Sequence, residues 1–137
     1  MKSIQIALFL GIFIASASAA AAKEIKWKEV YDESDYHLSI NPKSIVREAD
    51  DVVVVDTRVR NIDGLSESMK IDHILVRSRF DCKVDGRFQL ISTVVVSTGE
   101  EGTYNLETDN RWFVFASDSP EAIMGRATCQ QAGKRSK

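Results

Sequence analysis

Apolar and polar side chains alternate along most of this sequence, and this period of two constrains the fold more than any other feature. Leu38 and Ile40, for example, alternate with His37 and Ser39. Successive side chains of a strand point to opposite faces of a sheet, so each alternating segment predicts a strand with one buried face. The predicted strands cover residues 25–28, 36–40, 52–60, 71–82, 87–96 and 112–116.

The connections between these segments predict an antiparallel sheet followed by one helix. Asp85-Gly86 lies between two alternating segments and predicts a hairpin with a type I′ turn. Ser119-Pro120-Glu121 is typical of a helix start, with a cap, a proline at the first position and an acid in the first turn. We therefore expect an α+β domain, in which a helix over about 120–131 packs on one face of an antiparallel sheet of about five to six strands.

The amino terminus predicts export. One positive charge at Lys2 precedes a short apolar segment over residues 4–14, and small residues follow over 15–22. This order is typical of a secretory signal peptide, and the apolar segment is shorter than the roughly 20 residues of a membrane-spanning helix. An uncleaved membrane anchor is the alternative. We predict a signal peptide over 1–22, a single domain over 23–137, and a periplasmic or secreted protein without a stable membrane anchor.

The charge of the chain argues against a nucleic-acid partner. The sequence has 18 lysines and arginines against 20 acids, a net charge of −2, and the predicted signal peptide contains one of the lysines. Proteins that neutralise phosphate backbones usually present an excess of basic residues. We therefore expect no nucleic acid among the partners.

The two cysteines, Cys82 and Cys129, are predicted to form one disulfide. Neither belongs to the C-x-x-C spacing typical of metal or redox sites, and an exported chain matures in an oxidising compartment. Free or intermolecular thiols are the alternative. The predicted bond would tie the end of the helix to the fourth strand.

The order of several short motifs resembles that of the surface-adhesin protein E family of exported proteins from Gram-negative bacteria. The resemblance covers residues 25–129 and implies an antiparallel sheet with a terminal helix stapled to it. Characterised members bind host extracellular proteins. This chain departs from the founding adhesin because it has no cysteine at the predicted cleavage point. The matching residues are Trp27, Ser39-Ile40-Asn41-Pro42-Lys43-Ser44-Ile45, Phe80-Asp81-Cys82, Trp112-Phe113-Val114, Ser119-Pro120-Glu121 and Cys129.

The sequence offers little for catalysis, so we predict no enzyme, no cofactor and no metal site. The histidines, His37 and His73, lie on different predicted strands, and the cysteines are predicted to be oxidised. We interpret the acidic pairs at 50–51 and 100–101 as solvated turn charges. Trp27 and Trp112 are each interleaved with polar neighbours, and we expect both in the core.

Alternation places several arginines on the face of the sheet that points away from the helix. With Phe88, Leu90 and Val94 inside, for instance, the polar residues between them point outward. Arginine suits bidentate contact with carboxylate, sulfate or phosphate. An anion-binding surface is one hypothesis, and the alternative, cross-strand pairing with Asp56 and Asp81, is the simpler interpretation. Its members are Arg58, Arg60, Arg77, Arg79 and Arg87.

Three classes of function stay open at this point. The first is an exported, non-catalytic binding protein whose partner is an envelope or host extracellular protein, or an anionic ligand. The second is a periplasmic inhibitor or accessory protein that acts on another envelope protein. The third is a small hydrolase, which would require one of the histidines beside a nucleophile. The first agrees best with the resemblance and with the arginines.

Overall fold

A computed structural model describes residues 24–33, 37–60, 70–98 and 102–135. The predicted signal peptide and the acidic pair at 100–101 lie outside these ranges. In chain order the strands are β1 (Lys28–Asp32), β2 (His37–Ile40), β3 (Val46–Ala49), β4 (Val52–Arg60), β5 (Ile71–Asp81), β6 (Arg87–Ser97), β7 (Thr103–Leu106) and β8 (Trp112–Val114). A 3-10 turn covers Pro42–Ser44, and the helix α1 covers Pro120–Arg135.

The described strands form one curled antiparallel sheet in the order β1-β2-β4-β5-β6-β7. Two further short strands pair at its sides, β3 with β4 and β8 with β6. The long strands β4, β5 and β6 form the centre, and β4 and β6 are rich in β-branched residues, which favour strands. The α+β fold predicted from the sequence is confirmed. Two short strands, β3 and β7, were not predicted by the alternation.

The inner face of the sheet carries the core. Val53 pairs with Phe80 and Val55 with Ser78 across β4 and β5, and all four are almost fully buried. Leu38, Ile40, Phe88, Met124 and Ala132 complete most of the cluster. These side chains come from the sheet and from α1, which therefore share one core.

A bulge in β6 changes which residues point inward. Arg77 pairs with Ser92 whereas Ser78 pairs with Leu90, so Ile91 is an extra residue. One extra residue reverses the alternation beyond it. Val95 is consequently buried, and the expectation that Val94 points inward is wrong.

Helix α1 begins as the sequence predicts and extends four residues further than expected. The Ser119 hydroxyl accepts a hydrogen bond from the Ala122 N–H at 3.2 Å. Cys129 near the helix end is bonded to Cys82, with 5.7 Å between the two Cα atoms, which confirms the predicted disulfide. No helix among the described residues is both long and apolar enough to cross a membrane.

The first strand and both tryptophans differ from expectation. β1 starts at Lys28, and Val30 and Tyr31 contact the core in place of Ile25 and Trp27. Trp112 pairs with Gln89 on the outer face, because its neighbour Phe113 takes the inward position. The expectation that Trp27 and Trp112 lie in the core is therefore wrong.

The β5–β6 hairpin is confirmed, but its turn is not of type I′. Gly86 has φ of 78°, whereas Asp85 is not among the residues with positive φ. The Arg87 N–H donates to the Val84 carbonyl oxygen at 3.2 Å, which places Gly86 at the third position of the turn. Positive φ at that position alone is the arrangement of a type II turn.

Two glycines in α1 allow a matched test of helix packing. A Cβ on Gly125 would lie 2.9 Å from Cδ1 of the buried Phe80 ring, whereas a Cβ on Gly133 would have no neighbour within 4 Å. Alanine is favoured over glycine in a helix by roughly 1 kcal/mol. Overpacking a core costs about 1–3 kcal/mol.

We therefore expect Gly133→Ala to raise the free energy of unfolding by up to about 1 kcal/mol. Gly125→Ala should lower it, because contact with Phe80 outweighs the gain in propensity. Urea unfolding of both variants measures the difference. Equal stabilisation by both substitutions would contradict the packing described for Phe80.

Candidate anion-binding site on the outer sheet face

The five predicted arginines all lie on the outer face of the sheet. Arg58 and Arg60 come from β4, Arg77 and Arg79 from β5, and Arg87 from β6. The register places Arg79 opposite Val54, six residues along β4 from Arg60. At about 3.3 Å per residue, Arg79 and Arg60 are therefore about 20 Å apart along the strand direction. The arginines therefore form a row rather than one compact site.

The arginines of β5 are each held by a carboxylate. Arg77 donates to Asp56 through Nε and Nη2, at 2.8 and 3.2 Å. Arg79 donates to Glu48 in the same bidentate way, at 2.6 and 3.1 Å. The hydrogen bond from Arg79 holds the pKa of Glu48 below its ordinary value, and the hydrogen bond to Asp56 raises the pKa of Arg77. Both guanidinium groups already have an anionic partner.

Arg87 is engaged at the hairpin end. Its Nη1 donates to Asp81 at 2.6 Å, and its guanidinium lies 4.3 Å from the centre of the Trp112 ring. The Asp81 carboxylate also accepts the Lys83 N–H at 2.9 Å. That backbone hydrogen bond, supported by Arg87, holds the pKa of Asp81 below its ordinary value. The alternative of cross-strand pairing, raised for Asp56 and Asp81, is thus found at both residues.

Arg58 and Arg60 differ from the other three. Among the described residues, no carboxylate lies within salt-bridge distance of either guanidinium. The Arg58 guanidinium lies 4.9 Å from the centre of the Trp27 ring. Its Nε is buried and has no hydrogen-bond partner among the residues that the structure describes. Burial, and then the charge of Arg60, hold the pKa of Arg58 below its ordinary value. The charges of Asp72 and Glu29 act in the opposite direction, so among the described residues the partly desolvated positive charge at this end of the row is only partly compensated.

A cavity of about 200 Å³ lies beside this arginine pair. The register places Ser39 of β2 opposite Arg58 and His37 opposite Arg60. These four side chains line the cavity together with Glu29 of β1. Its size suits one anionic group, with two guanidinium groups and a hydroxyl as donors.

His37 is held at the edge of this cavity by two acids. Its Nδ1 lies 2.6 Å from Asp32 Oδ1 and 3.1 Å from Glu29 Oε1. Their ligand atoms lie within 4.8 Å of one another, so among the described residues this group has the geometry to hold a metal ion. The carboxylates are also the natural partners of the imidazole, and we assign the group the role of positioning His37.

Ser39 lines the same cavity as His37, but the hydrogen bonds of both histidines among the described residues are to carboxylates. His73 Nδ1 lies 2.6 Å from Asp72 Oδ2, and neither imidazole hydrogen-bonds to a serine hydroxyl within the described ranges. Proton abstraction from a serine needs that contact. What this face offers chemically is charge and hydrogen-bond donors, which suit binding.

Sequence reasoning found the two arginines but missed the residues that distinguish them. Ser39 alternates with Leu38 and Ile40 and could have been placed on the outer face by parity. Trp27 gave no such signal, because it precedes β1 and belongs to no strand. The predicted site residues stay predictions, since nothing in the geometry tests their binding.

The fold defines a class: small α+β domains in which one curled antiparallel sheet holds a C-terminal helix through a disulfide. The crystal structure of protein E from non-typeable Haemophilus influenzae is similar, with a TM-score of 0.58 and 13% identity over 83% of this chain and 82% of that one. Crystal form II of Haemophilus influenzae protein E gives a TM-score of 0.55 and 11% identity, over 84% and 93% of the two chains. No family model and no curated protein matches the sequence. The chain therefore has a protein E-like fold, as its motifs suggested.

Proposed function

We propose that this chain is an exported binding protein that engages an anionic group of its partner with Arg58 and Arg60. The observation that carries the proposal is the buried Nε of Arg58, which has no acceptor within the described part of the chain. A buried donor without a partner is unfavourable, and an incoming carboxylate, sulfate or phosphate would satisfy it. The anionic group is the chemical feature that we assign to the partner.

The surroundings of Arg58 prepare it for this role. The Trp27 ring lies against the guanidinium and limits its motion, so less conformational entropy is lost on binding. Repulsion between Arg58 and Arg60 is relieved when an anion lies between them. Arg77 and Arg79 each already contact a carboxylate, so neither lacks an anionic partner. We assign them a role in joining β5 to its neighbours.

The protein E-like fold supports a binding role at the cell envelope. The sequence resemblance implies a host extracellular or envelope protein as partner, and the predicted signal peptide implies the periplasm or the exterior. Together with the arginine pair they describe a module that meets a partner through the outer face of its sheet.

Isothermal titration with inorganic sulfate and phosphate tests this site. We expect Arg58→Ala combined with Arg60→Ala to weaken anion binding at least tenfold, because hydrogen bonds to charged groups contribute roughly 1.5–3 kcal/mol. The matched control is Arg77→Ala combined with Arg79→Ala, which removes the same charge from the same face. This control should bind both anions like the unaltered protein.

The comparison between the two double variants decides the proposal. Equal loss of anion affinity in both variants would indicate that only the net charge of the protein matters. Added salt would then weaken anion binding to the same extent, because it screens exposed charges. Unchanged binding after loss of Arg58 and Arg60 would place the anion elsewhere. Either result would contradict the assignment.

A further inference from the structure

A second cavity, of about 330 Å³, opens on the inner face of the sheet, beside the first turns of α1. It lies on the opposite face from the arginine pair. Its volume falls within the range of small-molecule sites, and most of its surface is apolar. The lining residues are Leu38, Thr57, Val59, Val76, Ser78, Phe88, Leu90, Glu121 and Met124.

Two polar side chains with hydroxyl groups lie in this apolar lining, and they differ in one respect. The Thr57 hydroxyl donates to the Val76 carbonyl oxygen at 3.2 Å. The Ser78 hydroxyl is fully buried and has no hydrogen-bond partner within the described ranges. Buried hydroxyl groups are nearly always paired, so Ser78 is a polar group that lacks a partner within the cavity lining.

Glu121 gives the cavity its charge. It lies in the first turn of α1 and, among the described residues, forms no salt bridge. It is the charged residue of the lining, so the site repels a carboxylate and attracts an ammonium group. An acid in this position also stabilises the helix start, and the two roles are compatible.

We propose that this cavity binds a small aromatic or aliphatic amine that carries a hydroxyl group at its other end. The apolar body packs against Val59, Val76 and Leu90, the ammonium group meets Glu121, and the hydroxyl pairs with Ser78. Each part of the ligand is complementary to one feature of the lining: the apolar surface, the Glu121 carboxylate or the Ser78 hydroxyl. This cavity and the anion site lie on opposite faces of the sheet and share no lining residue.

Three related compounds separate these contributions in ¹⁵N-HSQC titrations of the domain. The compounds are tyramine, phenethylamine, which lacks the hydroxyl, and 3-(4-hydroxyphenyl)propionate, which replaces the amine by a carboxylate. We expect tyramine to cause saturable shifts at cavity residues. Phenethylamine should bind about tenfold more weakly, since one hydrogen bond is missing. The propionate should cause no saturable shift.

Variants test the two polar contacts one at a time. Glu121→Gln should weaken both amines about tenfold, and Ser78→Ala should remove the difference between them. Leu90→Trp should fill the cavity and abolish binding. Arg58→Ala with Arg60→Ala is the control and should leave tyramine binding unchanged, which distinguishes this site from the outer face. Equal binding of all three compounds, or shifts confined to residues outside the cavity, would overturn the proposal.

Discussion

Replacing both cysteines, Cys82→Ala with Cys129→Ala, is expected to lower the free energy of unfolding by up to about 4 kcal/mol. The bond joins residues 47 apart in sequence, so its loss frees a long loop in the unfolded chain. For a domain of this size we expect the melting temperature to fall by about 10–20 °C. Circular dichroism during thermal and urea unfolding measures both quantities.

The strand signal should persist after the bond is lost. The sheet is joined by its own backbone hydrogen bonds, and the bond connects Cys82, after β5, to Cys129 in the helix. Chemically reduced wild-type protein is the control, and it should unfold close to the double variant. A reduced protein as stable as the oxidised one would contradict a stabilising role for the bond.

Gly86→Ala is expected to destabilise the domain by about 3 kcal/mol, from overpacking and a strained backbone together. A Cβ at this position would overlap with the carbonyl oxygen of Phe115, and φ is 78°. The contact is close because the Phe115 N–H donates to the Gly86 carbonyl oxygen at 2.9 Å. The substitution therefore strains the β5–β6 turn and the segment after β8 together.

Gly102→Ala provides the matched control for this prediction. Its φ of 74° is similar, but a Cβ there would meet nothing within 4 Å. We expect a loss of about 1 kcal/mol from backbone strain alone. The difference between the two variants in free energy of unfolding, measured with urea, gives the steric contribution at Gly86. Equal losses would show that the turn does not press against Phe115.

Much of the fold follows from local patterns in the sequence. β4 coincides with the Val-rich segment over 52–60, and α1 begins at Pro120, because alternation and helix caps are local properties. The strands β3 and β7 were not predicted, because they lack this alternation of apolar and polar residues. All their side chains are exposed, so burial imposed no alternation on them.

The sequence predicted the five arginines of the candidate site, but not which of them pair with carboxylates. Parity correctly placed the arginines on the outer face, yet Glu48, the partner of Arg79, lies on the unpredicted strand β3. Pairing depends on register between strands, which a single sequence does not specify. Consequently, sequence alone could not separate Arg58 and Arg60 from their three compensated neighbours.

The inner cavity was likewise beyond sequence reasoning. Its two polar features come from different elements, Ser78 from β5 and Glu121 from α1. They meet only because the helix packs across part of the inner face. Local patterns predicted both elements but not where one would lie on the other.

Titration with inorganic sulfate, followed by the ¹⁵N-HSQC signal of the Arg58 Nε–H group, shows directly whether this atom binds an anion. We expect a saturable shift of this signal, because the buried Nε gains an acceptor. The Nε–H signal of Arg77, already bonded to Asp56, should stay in place over the same range. An unmoved Arg58 signal, or equal responses from both arginines, would contradict the claim.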